Sequence, residues 1–186
     1  MGVPKTKSER YTYADYYSWD DDERWELIDG VAYNMSPAPV RRHQQVLLRL
    51  VRLVSDITDR GSCETYVAPF DVRFSADEET DTVVQPDISV FCDPSSLDDR
   101  GAIASPILVI EILSPSTSHK DMTVKLELYE RHSVREYWVV NADAPWVMVY
   151  RLGDDARFRK PDYYRTGEAV VSEVLSGERI ALGDFL

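Results

Sequence analysis

The sequence has little histidine, little cysteine and a shortage of positive charge, and each shortage narrows its possible functions. Three histidines and two cysteines, with no clustered spacing, argue against a zinc site. Only 21 lysines and arginines oppose 33 aspartates and glutamates, which gives a net charge of −12. That charge repels nucleic acid at long range and counts against a passive, non-specific DNA binder. An enzyme with a local basic patch remains compatible with it.

Long apolar runs are absent as well. No run reaches membrane-spanning length, and the first ten residues lack the apolar segment of a signal peptide, so no membrane association is expected.

Cys63 and Cys92 are two thiols in or beside apparent strands, and they favour a reduced, cytoplasmic setting. A length of 186 residues with 44% hydrophobic residues predicts a single domain, 1–186, with an ordinary core.

Apolar periodicity and turn signals predict the order of the elements. Asp29-Gly30 between two strand-like runs predicts a β-hairpin, because both turn residues adopt positive φ. Helical spacing of apolar residues predicts one helix from Val40 to Asp59 and another from about Lys120 to His132. The predicted strands are Cys63–Ala68, Asp71–Phe74, Val84–Cys92, Ile107–Leu113, Glu136–Asn141 and Trp146–Leu152, with weaker ones near Tyr163, Ala169–Leu175 and Arg179–Leu182. This order predicts an α/β fold of the αβββαβ type, a mixed sheet flanked by helices with an extra N-terminal hairpin and C-terminal strands.

Glu111 is the most informative residue, because it interrupts the apolar run Ile107–Leu113 of a predicted central strand. A buried carboxylate must neutralise, pair or bind a cation. Asp87 has a similar setting in the preceding apolar strand. Two acids on adjacent core strands suit a divalent metal, but two structural acids hydrogen-bonded to backbone or arginine fit the same pattern.

Lys125 lies on the margin of the apolar face of the second predicted helix, four residues before Tyr129. A lysine that leans toward the core needs an acid partner, and this helix packs back on the strand of Glu111. The alternative is a lysine that covers apolar surface and keeps its ammonium in water. With a metal held by Asp87, Glu111 and the carbonyl of Ile112, a neighbouring lysine would complete the residue types that phosphodiester hydrolysis requires.

These residues resemble the PD-(D/E)XK nuclease superfamily, with Pro86-Asp87 and Glu111 as its two acids. More narrowly, the chain resembles the bacterial Uma-two family of restriction-endonuclease-like proteins, a domain of unknown function, over roughly residues 13–182. The matching blocks are Arg24–Gly30, Met35–Pro37, His43, Gln85–Val90, Val109–Thr117, Lys125–Tyr129 and Glu136–Val140. The chain departs from the superfamily at Leu113, where a lysine is expected two residues after the second acid. Lys125 is the candidate replacement.

The resemblance implies a restriction-endonuclease-like fold and a metal-dependent endodeoxyribonuclease, with Mg²⁺ or Mn²⁺ as cofactor, DNA as substrate and dimerisation as a family-level expectation. It adds Glu26 as an acid that assists the metal, unless Glu26 is a hairpin acid that faces solvent. It adds His43 as a substrate-binding residue, although a packing role is favoured. Two other functions stay open: an inactive nuclease-fold module that binds DNA or a protein, and a carboxylate-pair glycosidase. The absence of an evident aromatic platform disfavours the glycosidase, since the tyrosines and tryptophans are explained as core and strand filling.

Overall fold

The computed structural model describes residues 10–20, 22–35, 39–114 and 118–186, which form two compact units. The larger unit contains Pro39–Ala68, Pro86–Pro94 and Pro106–Leu186. The smaller unit contains Pro69–Gln85, Ser95–Ser105 and the described part of the N-terminal 38 residues. Residues 115–117, where the sequence predicts the break after the central strand, lie outside the described residues.

The helices and strands follow the predicted order closely. In chain order they are α1 (Tyr13–Tyr17), β1 (Trp25–Ile28), β2 (Val31–Asn34), α2 (Arg41–Thr58), β3 (Glu64–Val67), β4 (Ile88–Phe91), β5 (Leu97–Asp98), β6 (Gly101–Ala102), β7 (Leu108–Ile112), α3 (Ser118–Met122), α4 (Val124–Arg131), β8 (Glu136–Asn141), β9 (Trp146–Arg151), β10 (Asp162–Arg165), β11 (Ala169–Val171) and β12 (Arg179–Ala181). The residues described include no helix of the length and apolarity that crossing a membrane requires.

The smaller unit is built around the predicted hairpin. Its strands β1 and β2 are antiparallel, and Asp29 and Gly30 between them adopt φ of 50° and 74°. The predicted strand Asp71–Phe74 is wrong, because this segment forms only isolated bridges through Val72. Phe74 adopts φ of 57°, outside the extended region, so the backbone cannot continue as a strand.

The larger unit contains a six-stranded mixed sheet in the order β10-β9-β8-β7-β4-β3. Its one parallel pair within the described residues is β7 with β8, and α3 and α4 lie between these strands in the chain. The predicted single helix from Lys120 to His132 is therefore two helices. Thr123 separates them, since its φ of −129° and ψ of −79° are not helical.

The two faces of this sheet are covered by different helices. The buried side chains of α2 belong to one apolar core with alternate residues of the central strands: Val46, Leu50, Val54, Ile88, Val90, Leu108 and Ile110. Because successive strand residues point to opposite faces, Val109 and Glu111 face the other way, toward α4. The ring contact of Tyr129 with Tyr137, 4.8 Å between centroids, lies on this second face.

Cys63 and Cys92 form a disulfide, so the expectation of two reduced thiols is wrong for this structure. Glu64 is opposite Phe91 in the antiparallel pair of β3 and β4, and the two cysteines are the next residues outward. A sequence separation of 29 residues gives no sign of this proximity, because it depends on how the two strands align.

Candidate active site

Asp87 and Glu111 lie beside each other on neighbouring chain segments of the larger unit. Glu111 is in β7, and Asp87 directly precedes β4. Ile88 is opposite Ile110 in this antiparallel pair, so the next position of the register sets Asp87 against Glu111. The Asp87 carboxylate also accepts a hydrogen bond, 2.8 Å long, from the backbone N–H of Ile112.

Glu111 is held by two donors from α4. Its Oε1 atom accepts hydrogen bonds from Lys125 Nζ at 2.7 Å and from Tyr129 Oη at 2.8 Å. Lys125 and Tyr129 reach the same atom because residues four apart share one face of a helix. The Lys125 side chain is 3% exposed, so this ammonium pairs with Glu111 and does not reach into water.

Asp87 is held by α2, whereas Glu111 is held by α4. His43 Nε2 lies 3.1 Å from Asp87 Oδ2, the same oxygen that accepts the Ile112 N–H. Burial lowers the pKa of His43, but the hydrogen bond and charge of Asp87 outweigh burial and raise the pKa above its ordinary value. The backbone of Ile112 and the charge of Asp121 act in the same upward direction.

Glu26 lies in β1 of the smaller unit and is fully buried. Its Oε1 atom accepts the backbone N–H of Gln85 at 3.0 Å. The alternative that Glu26 faces solvent is therefore wrong. Its assistance to a metal stays a prediction, although the residue it holds, Gln85, stands two positions before Asp87 in the sequence.

Sequence reasoning missed Asp121 and the hydroxyl of Tyr129 as members of this cluster. Asp121 is buried, its Oδ1 atom lies 3.9 Å from Lys125 Nζ, and its carbonyl accepts a hydrogen bond from Tyr137 Oη at 2.9 Å. Burial raises the pKa of Tyr137, and the charges of Glu111 and Asp121 raise it further, so this phenol stays a donor. The available signal was the spacing of four residues from Asp121 to Lys125 and from Lys125 to Tyr129.

The chemistry of these donors can be compared with the needs of a metal ion. In the described ranges, no group of three or more histidine, cysteine, aspartate or glutamate side chains could hold a metal. Mg²⁺, however, commonly takes only one or two protein carboxylates and keeps several waters. Asp87 suits it, because its side chain is 16% exposed and its Oδ1 has no hydrogen-bond partner among the described residues. Because the N–H and C=O of one strand residue point to the same neighbouring strand, we expect the Ile112 carbonyl on the side of its N–H, which donates to Asp87. The residues therefore fit a hard divalent cation.

A mixed six-stranded sheet flanked by helices is the architecture of the restriction-endonuclease-like α/β proteins. The chain belongs to the Uma2 family, described as "Putative restriction endonuclease", whose pattern matches residues 13–183. The family predicted from the sequence motifs is thereby confirmed.

A relative and a solved structure are consistent with this assignment. An uncharacterized protein of Synechocystis sp. is 30% identical over 144 residues, which are 76% of this chain and 74% of the relative. A crystal structure from Anabaena variabilis, titled a "putative nuclease belonging to DUF820", superposes with a TM-score of 0.75 at 20% identity. It covers 94% of this chain and 97% of its own, and at this identity it confirms the α/β fold alone.

Proposed function

We propose that this protein is a metal-dependent endodeoxyribonuclease that hydrolyses phosphodiester bonds of DNA. The observation that carries the proposal is the adjacent register of Asp87, just before β4, and Glu111 in β7, with the buried ammonium of Lys125 on Glu111. An acid pair with a neighbouring lysine has the residue types that phosphoryl transfer requires.

Each side chain has a distinct proposed role. Asp87, Glu111 and the Ile112 carbonyl would hold Mg²⁺ or Mn²⁺, which when bound would neutralise phosphate charge and acidify a water molecule. Lys125 orients the Glu111 carboxylate and, at the reacting phosphate, supplies positive charge. His43 orients Asp87 through their hydrogen bond and is the proposed substrate contact. Glu26 is proposed to assist from β1.

The basic face of α2 supports DNA as the substrate. This face carries Arg41, Arg49 and Arg52, all exposed, with the half-buried Arg42 beside them. No carboxylate among the described residues pairs with any of these four, although the chain has 33 acidic residues. Arginines without a carboxylate partner are suited to phosphates, whose neutralisation releases counterions. They share the larger unit with Asp87 and Glu111.

The test is cleavage of supercoiled plasmid DNA by the purified protein with Mg²⁺ or Mn²⁺ and with EDTA. Asp87→Asn and Glu111→Gln should each lower the metal-dependent rate at least ~10²-fold, the scale of losing one electrostatic contact to a transition state. Glu136→Gln is the matched control, because it changes another buried glutamate of the same sheet, and its folded fraction should keep activity. Full activity in both folded site variants, or cleavage that survives EDTA, would refute the proposal.

A second candidate function is an inactive member of the fold that binds DNA or a protein partner. Leu113 at the usual lysine position favours it, as does the existing pairing of Glu111 with Lys125. Titration calorimetry with Mn²⁺ separates the two functions. Absence of binding heat, together with salt-dependent DNA binding that Arg49→Gln and Arg52→Gln weaken, would favour the inactive module.

Double-strand cleavage by a chain with one site needs two copies, so we expect a homodimer on DNA. Sedimentation of the protein with a short duplex in EDTA would measure this. A stoichiometry of one chain per duplex would restrict the proposed activity to nicking.

A further inference from the structure

The smaller unit has a cleft of about 220 Å³ that the proposed hydrolysis does not use. Its aromatic lining comes from α1, from the segment after it and from the start of β1: Tyr16, Tyr17, Trp19 and Trp25. Glu23, Arg24 and Gln85 add polar groups. The volume is below the ~300 Å³ of pockets for drug-sized ligands, so it suits one planar ring system.

The sequence suggested core filling, and two of these rings, Tyr16 and Trp19, do pack against a buried cluster around Tyr13. The rings of the cleft nevertheless keep exposed surface. Tyr17 is 60% exposed, and Trp19 and Trp25 are only half-buried. Trp19 contacts Tyr16 and Trp25 with centroid distances of 5.5 and 5.9 Å. The rings form a contiguous aromatic surface that is open to a ligand.

A hydrogen-bond network fixes the floor of the cleft. Tyr16 Oη donates to Asp71 Oδ1 at 2.9 Å and accepts from Gln85 Nε2 at 3.2 Å. Gln85 Nε2 also donates to Asp71 Oδ1 at 2.9 Å, and Gln85 Oε1 accepts from Arg24 Nη2 at 2.8 Å. Because both ends of the Gln85 amide are engaged, Tyr16 and Arg24 are held in place before any ligand binds. Preorganised groups of this kind cost less ordering on binding.

The charge in the cleft discriminates between ligands for aromatic surfaces. Quaternary ammonium groups bind in aromatic cages, but a cationic Arg24 in the lining opposes them. In the part of the chain that the structure describes, no carboxylate pairs with Arg24. Rings for stacking and a guanidinium for phosphate together match a nucleotide.

We propose that this cleft binds an unstacked nucleobase of single-stranded or locally opened DNA, with Arg24 against the adjoining phosphate. The choice of DNA rests on the proposed function, but the cleft is a separate site with its own chemistry. The base stacks on Trp19 and Trp25, and Tyr16 forms the fixed floor.

The experiment is fluorescence anisotropy in EDTA, so that cleavage plays no part. The probes are a labelled oligothymidylate of about ten nucleotides, within the ~4–16 nucleotide range of single-strand sites, and an abasic oligomer of equal length and charge. The oligothymidylate should bind at least ~10-fold more tightly than the abasic oligomer, and Trp19→Ala should remove that difference. Trp19→Phe, which keeps a ring, should retain most of it. Arg24→Gln should weaken the binding of both probes and make that binding less dependent on salt concentration.

Tyr163→Ala is the matched control, because Tyr163 is an exposed ring under the guanidinium of Arg165 in the larger unit. Equal affinity for the two probes would overturn the proposal. It would also be overturned if Trp19→Ala and Tyr163→Ala reduced the affinity for the oligothymidylate by the same factor. Displacement of the oligothymidylate by millimolar choline would overturn it in favour of a cation cage. A protein that distinguishes the probes but never cleaves DNA would refute only the proposed nuclease activity.

Discussion

Glu111 and Glu136 lie on the adjacent parallel strands β7 and β8, are both buried, and are held in different ways. Glu136 is 0% exposed, and each of its oxygens has a protein donor: Trp138 Nε1 at 2.6 Å and the Glu173 N–H at 2.9 Å. Arg151 Nε lies 3.5 Å from the same carboxylate. Glu111 is held from α4 instead, by the ammonium of Lys125 and the hydroxyl of Tyr129.

The register of the two strands explains the difference. Glu136 is opposite Leu108 and shares the α2 face of the sheet, whereas Glu111 is opposite Val139 and faces α4. The partly exposed Asp87 stands beside Glu111 on the next strand. Burial of a carboxylate therefore does not by itself mark a functional site. A second acid on the adjacent strand distinguishes Glu111 from Glu136.

Removing the Glu136 carboxylate should give the largest effect on stability. Glu136→Ala leaves the N–H groups of Trp138 and Glu173 without their acceptor and removes the fully buried acid beside Arg151. Breaking a buried pair costs about 3–5 kcal/mol. Urea denaturation in EDTA and in Mn²⁺ measures the loss, which should be the same in both. If the loss of stability differed between EDTA and Mn²⁺, Glu136 would belong to the metal site and would not differ from Glu111 in this respect.

Lys125→Met should cost about 3 kcal/mol in EDTA, because Glu111 loses its cationic partner. Mn²⁺ should restore part of this free energy of unfolding, since a bound cation replaces the missing ammonium charge. Arg151→Met is the matched control at the other glutamate, and Mn²⁺ should not restore its stability. If Mn²⁺ restored the stability of both variants, or of neither, the two glutamates would not differ in metal binding.

Asp87→Asn should abolish stabilisation by Mn²⁺. A ligand at 100 times its Kd stabilises the native state by about 2.7 kcal/mol, and the wild-type protein should show a gain of this size. Asp162→Asn removes an exposed acid that pairs with Arg151, and it should keep the gain. Thermal unfolding at matched ionic strength measures all three proteins. If Mn²⁺ stabilised Asp87→Asn as much as the wild-type protein, the metal would bind at a site that does not include Asp87.

His43→Gln should have the smallest effect, visible mainly in its pH dependence. Because the folded pKa of His43 is raised, protonated His43 contributes stability below its ordinary pKa of about 6.5. That contribution is lost as pH rises through the folded pKa, so wild type and variant should converge at alkaline pH. Urea denaturation in EDTA across this range measures the difference. A difference that grows with pH would contradict the assigned hydrogen bond.

Local sequence signals predicted much of the fold and part of the site. The Asp29-Gly30 hairpin was predicted correctly, and the α2 helix was predicted within one residue at each end. The reach of Lys125 to Glu111 followed from helical spacing and from the packing of a helix on its preceding strand. The break at Thr123 escaped prediction, because neither side of it contains glycine or proline and apolar spacing continues across it.

The sequence by itself determined most of the helices and strands and that an acid must occupy an apolar strand, because these depend on neighbours a few residues apart. Only the tertiary structure decided that Cys63 meets Cys92, that Glu136 is saturated with donors while Glu111 adjoins Asp87, and that aromatic residues of α1 and β1 line a cleft. Those outcomes depend on strand register and on contacts between distant segments. A change of register by one residue would exchange the faces of both glutamates without altering any local pattern.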